Sequence, residues 1–183
     1  PADCVVLGVR QLLRNPPDLV VSGINVGPNL GLDLTYSGTV SGALEGGILG
    51  ISSIAISVAS FVDARFDVAA PFAERLARDI VERRPSGAAI FNVNVPNLPA
   101  EGLRGVAITR QSWRRYLSRL EKRTDPRGHS YYWLTGEREP THDDEGTDGW
   151  AVAAGFISVT PIHLNMTDER LLRELEAWNL SVR

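Results

Sequence analysis

Residues 18–50 have the sequence DLVVSGINVGPNLGLDLTYSGTVSGALEGGILG, in which a polar, glycine-rich segment separates two apolar runs. This pattern predicts a buried strand over Asp18–Ile24, a loop over Asn25–Gly38 and a helix that opens at Ser37-Gly38-Thr39. The first N–H groups of a helix have no partners within the helix, and the helix dipole is positive at that end. A glycine-rich loop that leads into a helix can therefore hold an anion. We expect the functional site of the protein in this segment.

Polar side chains are concentrated in the predicted loop and at the start of the helix. Their oxygens and amide groups suit phosphate or a hard divalent cation, and they belong to Asn25, Asn29, Asp33, Ser37 and Thr39. Two common phosphate motifs are excluded, because no Lys follows the glycines in a GxxxxGK[ST] frame and the glycines do not fall as GxGxxG. The glycine pattern alone indicates an anion site without specifying the anion.

The composition limits the class of protein. The chain has 183 residues with 43% hydrophobic and 22% charged residues, which is ordinary for a soluble globular protein and fits a single domain over residues 1–183. A net charge of −3 gives no overall case for nucleic-acid or membrane binding, and no apolar run approaches the ~20 residues of a membrane span. One cysteine, Cys4, excludes an intrachain disulfide framework and favours a reducing compartment, so we expect a cytoplasmic protein.

Strands and helices alternate through the first half of the chain, which predicts a mostly parallel sheet covered by helices in a three-layer α/β/α arrangement. The predicted helices are Ala2–Arg14, Thr39–Ile51, Asp67–Arg84 and Thr167–Trp178, and the further predicted strands are Ser53–Val58, Ala88–Val95 and Gly155–Thr160. Cys4 is expected to be a small buried group on the first helix. Asp148 is interpreted as the N-cap of a short helix before the last strand, and Thr167 as the cap of the final one.

Residues 104–139 interrupt this alternation and are predicted to form a protruding β-arm. Between Arg104 and Arg127 there are eight basic and two acidic residues, with aromatic residues among or just after them. Cations beside aromatic faces are typical of nucleic-acid binding. The favoured interpretation is a β-rich extension whose aromatic residues pack against another subunit, so nucleic acid is an unlikely partner.

Several segments resemble one known family in the same order. Besides SGINVGPNLG and YSGTVSGALEG within residues 22–46, the matching segments are Pro1–Val9, Phe91–Asn97, Asp125–Trp133 and Gly146–Asn165. Together they resemble the SurE family of metal-dependent nucleoside-monophosphate phosphatases, and the resemblance covers nearly the whole chain. It implies a Rossmann-like sheet with a β-hairpin arm, hydrolysis of nucleoside 5′- and 3′-monophosphates, and a homodimer or homotetramer.

The resemblance also implies roles for individual residues. Asn25, which ends the SGIN string, matches the metal ligand of the family and would hold Mg²⁺ or Mn²⁺. The positions that contact phosphate in the family match Asn29, Ser37, Gly38 and Thr39, whose amides, hydroxyls and helix-start N–H groups all donate to anionic oxygens. No residue of the chain is assigned as catalytic.

The chain departs from the family pattern in one respect. SurE proteins begin with a strand that ends in an Asn-Asp-Asp-Gly segment, whose aspartates hold the metal, and residues 1–183 contain no such string. We expect a fragment without the preceding strand–helix–strand portion, which would be inactive alone. The alternative is a noncatalytic nucleotide-binding, phosphate-binding or oligomerisation module.

Overall fold

The structure is a computed structural model that describes residues 1–113, 116–138 and 144–182. The strands are β1 Val20–Val26, β2 Ser53–Val58, β3 Ile90–Val95, β4 Gly105–Ile108, β5 Tyr116–Thr124, β6 Ser130–Arg138 and β7 Phe156–Ile162. The α-helices are α1 Ala2–Leu7, α2 Gly38–Ile48, α3 Phe66–Arg83, α4 Asp148–Ala153 and α5 Glu169–Glu176. Shorter turns of helix occupy Gly8–Leu12, Gly31–Tyr36 and Ala100–Gly102.

The strands form a main sheet and a separate hairpin. The main sheet has the order β1-β2-β3-β7-β4, in which β1, β2 and β3 are parallel to one another. Strand β7 is antiparallel to β3, and β4 is parallel to β7. Within residues 1–113, 116–138 and 144–182, strands β5 and β6 pair only with each other. The predicted mostly parallel sheet and the predicted hairpin arm are both confirmed.

The two faces of the sheet are covered by different helices, because side chains alternate along a strand. Ile54 and Ile56 of β2 pack with Phe72 and Ile80 of α3 in one buried cluster. Ala55, which lies between those two isoleucines, packs instead with Val40 of α2. Helices α2 and α3 therefore cover opposite faces, which gives the three layers.

Helix α2 lies close to the sheet because its inner face is built from glycine. A Cβ added to Gly42 would lie 2.7 Å from the Oγ of Ser22, and one added to Gly46 would lie 3.0 Å from the Cβ of Val20 and against the Oγ of Ser53. Since Gly42 lies over Ser22 and Gly46 lies over Val20, α2 runs antiparallel to β1. The N-terminus of α2 is thus directed toward the carboxyl end of β1.

Several predicted boundaries were wrong. Strand β1 continues to Val26, so Asn25 lies within the strand and not in the loop. The predicted helix Ala2–Arg14 is present as α1 and the helical turn Gly8–Leu12 that continues it, and it ends two residues early. Cys4 is exposed instead of buried. Thr147 caps α4, with its Oγ1 accepting from the Trp150 N–H, while Asp148 is the first helical residue. Asp168, and not Thr167, caps α5.

The arm is shorter than residues 104–139, because β4 joins the main sheet and the hairpin begins at Tyr116. Residues 114–115 and 139 of the predicted arm lie outside the described residues. Within the part of the chain that the structure describes, no helix has both the length and the apolar character needed to cross a membrane.

Candidate functional site

The candidate site lies where β1, β2 and β3 end side by side. The register places Asn25 of β1 beside Ser57 of β2, and Ser57 beside Asn94 of β3. Loop 27–37 leaves β1 at this edge and leads into α2. Open α/β sheets bind ligands beyond the carboxyl ends of their parallel strands, so this edge is where a ligand is expected.

The start of α2 supplies donors for an anion. The Oγ of Ser37 accepts a hydrogen bond from the Val40 N–H at 3.1 Å, which is the contact of an N-cap residue. The Ser37 hydroxyl hydrogen is therefore left to donate elsewhere. Gly38 and Thr39 are half-buried and occupy the first turn, where backbone N–H groups lack intrahelical acceptors. The predicted helix start at these residues is confirmed.

Asn25 is half-buried, and its amide nitrogen is anchored to the backbone. Its Nδ2 donates to the carbonyl oxygen of Gly27 at 2.8 Å and to that of Val26 at 3.2 Å. This orientation leaves Oδ1 as the atom available to a ligand. A neutral amide oxygen is a ligand that Mg²⁺ and Mn²⁺ accept.

The described residues fit a divalent cation only in part. Asn25 Oδ1 provides one oxygen, but among residues 1–113, 116–138 and 144–182 no group of three His, Cys, Asp or Glu side chains could hold a metal ion together. The described residues thus contribute Asn25 Oδ1 as a neutral ligand without a cluster of charged ones.

Asn29 is placed differently from the other predicted site residues. It is 8% exposed, and its Nδ2 donates to the Oγ of Ser57 at 2.7 Å. Its backbone N–H donates to Asn94 Oδ1 at 2.8 Å, and its carbonyl oxygen accepts from the amides of Asn92 and Asn94, both at 2.9 Å. Asn29 therefore attaches the loop to the sheet, and this attachment occupies one of the two hydrogens of its side-chain amide.

The supporting side chains on β2 and β3 were not identified as site residues from the sequence. Ser57, Asn92 and Asn94 are fully buried, at 0% exposure. A signal was present, because Asn92 and Asn94 alternate with apolar residues in IFNVNV and so lie on one face of the strand. Buried amides on a central strand require hydrogen-bond partners. The loop above the sheet provides them for both polar atoms of Asn94 and for the Asn92 nitrogen, whereas Asn92 Oδ1 has no partner among the described residues.

Asp148 is a second buried group that joins separate segments. It is 0% exposed, and its carboxylate accepts from the backbone N–H groups of Gly31 at 2.9 Å, Ser112 at 3.0 Å and Gly149 at 2.7 Å. The side-chain amide of Gln111 donates to the carbonyl oxygen of Gly31 at 2.7 Å. The loop is thereby attached to the segment after β4 and to the start of α4.

A cavity of about 520 Å³ lies beside the loop, between α2 and the end of β7. Apolar side chains from Leu34, Val40, Leu44 and Ile162 line it, together with Thr109 and Thr160. The hydroxyl groups of Thr109 and Thr160 bond to each other at 2.7 Å. Arg110 and His163 also line the cavity, so it combines apolar side chains with basic ones.

Comparison with known proteins gives consistent matches. The family described as "Survival protein SurE" matches residues 1–118. A protein of Syntrophobacter fumaroxidans named "5'-nucleotidase SurE" is 46% identical over 180 residues, which cover 98% of this chain and 72% of that protein. A protein of the same name from Heliobacterium modesticaldum is 49% identical over 178 residues, which cover 97% of this chain and 65% of that protein. The crystal structure of the SurE protein from Aquifex aeolicus matches with a TM-score of 0.80 and 45% identity, over 97% of this chain and 72% of that one.

Proposed function

The chain belongs to the SurE family, and from this premise we propose that it is a nucleotidase. The reaction is hydrolysis of nucleoside 5′- and 3′-monophosphates to nucleoside and phosphate. The observation that carries the proposal is the convergence of Asn25 and the capped N-terminus of α2 on one edge of the sheet.

In this proposal the start of α2 holds the phosphate. The Ser37 hydroxyl donates to one phosphate oxygen, while the N–H groups of Gly38 and Thr39 and the Thr39 hydroxyl donate to others. Asn29 contributes the remaining hydrogen of its amide. In the transition state the phosphoryl group carries negative charge spread over its three equatorial oxygens, and donors fixed in advance stabilise that charge without having to reorient. The electron pair of the broken phosphorus–oxygen bond goes to the leaving oxygen.

The proposed cofactor is Mg²⁺ or Mn²⁺, with Asn25 Oδ1 as one ligand. A bound divalent ion supplies Lewis-acid polarisation of the phosphate. The charged ligands would be the two aspartates of the Asn-Asp-Asp-Gly segment of the family, a string that residues 1–183 do not contain. We therefore propose that activity requires that segment and that residues 1–183 alone are inactive.

A homodimer or homotetramer in the cytoplasm is part of the proposal. The hairpin and the segment before it expose large aromatic side chains, including Trp113, Tyr132 and Trp133. Arg123 lies over the ring of Trp133, with its guanidinium carbon 5.6 Å from the ring centroid. Exposed aromatic residues beside Arg are typical of protein–protein contacts, which supports assembly through the arm.

An assay of the complete protein encoded by the gene tests the function. We expect phosphate release from nucleoside 5′- and 3′-monophosphates with Mg²⁺ or Mn²⁺ and loss of the activity with EDTA. Residues 1–183 alone serve as the comparison and are expected to release none. Binding of phosphate by the complete protein without turnover of any nucleotide would favour the noncatalytic module instead.

A further inference from the structure

The loop between β1 and α2 contains two residues, Asn29 and Gly31, whose backbone N–H and carbonyl oxygen both form hydrogen bonds with side chains from elsewhere in the chain. Asn94 Oδ1 accepts from the Asn29 N–H at 2.8 Å, and Asn94 Nδ2 donates to the Asn29 carbonyl oxygen at 2.9 Å. At Gly31, the N–H donates to Asp148 at 2.9 Å and the carbonyl oxygen accepts from Gln111 at 2.7 Å. We call Asn94, Asp148 and Gln111 the loop clamp.

The contact of Asn94 fixes both the position and the orientation of the loop backbone. One planar amide binds the N–H and the carbonyl oxygen of the same residue, so the loop can neither slide along nor rotate over β3 without losing both bonds. The Asn94 side chain is 0% exposed and lies on a central strand of the main sheet. Water cannot readily replace its bonds, because the atoms are buried.

Asp148 fixes the next part of the loop with both of its carboxylate oxygens. Oδ2 accepts from the Gly31 N–H, while Oδ1 accepts from the N–H groups of Ser112 and Gly149. Asparagine could not reproduce this set, since its amide nitrogen would face an N–H donor in either orientation.

The segment between the two proposed functional ends of the loop is therefore rigidly attached. Asn25 lies before the clamped residues, and Ser37 lies after them. Because a displacement of about 1 Å in a catalytic arrangement can cost about a hundredfold in rate, the distance between Asn25 and the start of α2 must be maintained. The loop clamp contributes to maintaining it, beside the bonds that Asn29 forms with Ser57 and Asn92.

We propose that Asn94, Asp148 and Gln111 are positioning residues for phosphate ester hydrolysis, acting through Asn29 and Gly31. In this proposal none of the three contacts substrate. The inference rests on the proposed function, which it extends by naming the side chains on which the geometry of the anion site depends.

The test compares Asn94→Ala with Asn97→Ala in the complete protein. Asn97 is a matched control: its Oδ1 accepts from the Arg65 N–H at 2.8 Å and its Nδ2 donates to the Asp63 carbonyl oxygen at 3.2 Å, so it holds the loop after β2. Both changes remove one asparagine that binds backbone on both sides, but only Asn94 binds the anion loop. Thermal midpoints and steady-state kinetics are measured for both variants, with inorganic phosphate as inhibitor.

We expect Asn94→Ala to lower kcat/KM for a nucleoside monophosphate by about tenfold or more and to weaken inhibition by phosphate, while Asn97→Ala stays within about twofold of the parent protein. Equal losses in the two variants, or a folded Asn94→Ala protein with parental kinetics, overturn the proposal. If Asn94→Ala does not fold, the variant Gln111→Ala is measured instead, because Gln111 is exposed and its replacement should leave the protein folded. A loss of about threefold or more in kcat/KM supports the proposal, and parental kinetics overturn it.

The proposed function can fail separately. If the parent protein hydrolyses no phosphate ester, that function is wrong, and calorimetric titration with inorganic phosphate then decides the inference. Weaker phosphate binding by Asn94→Ala than by Asn97→Ala supports it, and equal binding by the two variants overturns it.

Discussion

Ser37 is the N-cap of α2 and the proposed phosphate donor, and the observed and the proposed role use different atoms. The oxygen caps α2 by accepting from Val40, while the hydroxyl hydrogen is the proposed phosphate donor. Ser41 is held in a different way, since its Oγ donates to the Ser37 carbonyl oxygen at 2.8 Å within the helix. The two serines therefore provide a way to separate stability from phosphate binding.

Replacing Ser37 by glycine is expected to lower activity far more than stability. Glycine is a tolerated N-cap, so the free energy of unfolding should fall by only about 0.5 kcal/mol, whereas alanine should cost about 1 kcal/mol. Both variants lose the hydroxyl, so kcat/KM for a nucleoside monophosphate should fall about tenfold or more in each. Urea unfolding and steady-state kinetics measure the two quantities, with Ser41→Ala as control. Parental kinetics for Ser37→Gly would show that the hydroxyl does not contact phosphate.

Helix α2 depends on small residues for its packing against the sheet. Ala has a higher intrinsic helix propensity than Gly by up to about 1 kcal/mol, yet a methyl group on Gly46 has no space between α2 and the sheet. Close packing therefore outweighs propensity in this helix. As a result, the N-terminus of α2 lies near the strand ends.

We expect Gly46→Ala to lower the free energy of unfolding by about 1–3 kcal/mol, because the extra methyl group forces α2 away from β1 and β2. Gly8→Ala is the matched control, since Gly8 has right-handed helical torsion angles and nothing within 4 Å of its added Cβ. Gly8→Ala should leave stability unchanged or raise it slightly. Urea midpoints give the comparison. A Gly46→Ala protein as stable as Gly8→Ala would contradict the close packing.

The turn between β5 and β6 is expected to lose stability at low pH. The Oδ1 of Asp125 accepts from the backbone N–H groups of His129 at 2.8 Å and Arg127 at 2.9 Å. These bonds, that of His129 first, lower the pKa of Asp125 below its ordinary value of 3.8. Because folding lowers this pKa, the ionised Asp125 carboxylate contributes fully to the stability of the turn at pH values above its ordinary pKa. The turn loses this contribution as the pH falls through the lowered pKa.

Amide chemical shifts of Arg127 and His129, followed from about pH 6 to about pH 2, should titrate with a midpoint below 3.8. Asp125→Asn retains the accepting oxygen without the charge, so this titration should be absent from that variant. A midpoint at or above 3.8 in the parent protein would be inconsistent with the turn geometry.

The elements that the sequence predicts best are those with a continuous local signal. Strand β2 has the predicted bounds, and its largely apolar run lies between Ser52-Ser53 and Ser60. Strand β4 was missed because it has only the four residues GVAI and pairs with β7, which lies far along the chain. The sequence shows that Asn92 and Asn94 lie on the same face of a strand. Their hydrogen-bond partner Asn29 lies 63 and 65 residues away in the sequence, so the contact could be identified only from the structure.

In the molecule as a whole, one polar layer connects the sheet to the proposed site. The face of β2 and β3 that is turned toward the loop carries Ser57, Asn92 and Asn94, whereas the opposite face carries the apolar side chains that pack against α3. The apolar layer stabilises the sheet, and the polar layer fixes the loop above it. This division places oxygen and N–H groups at the carboxyl edge of the sheet, where the proposed ligand would bind.

The most direct measurement is a crystal structure of the complete protein grown with Mn²⁺ and AMP. We expect the phosphate group within hydrogen-bonding distance of Ser37, Gly38 and Thr39, and the metal ion bound to Asn25 Oδ1. A phosphate group held elsewhere, for example in the cavity between α2 and β7, with Asn25 free of metal, would contradict the account.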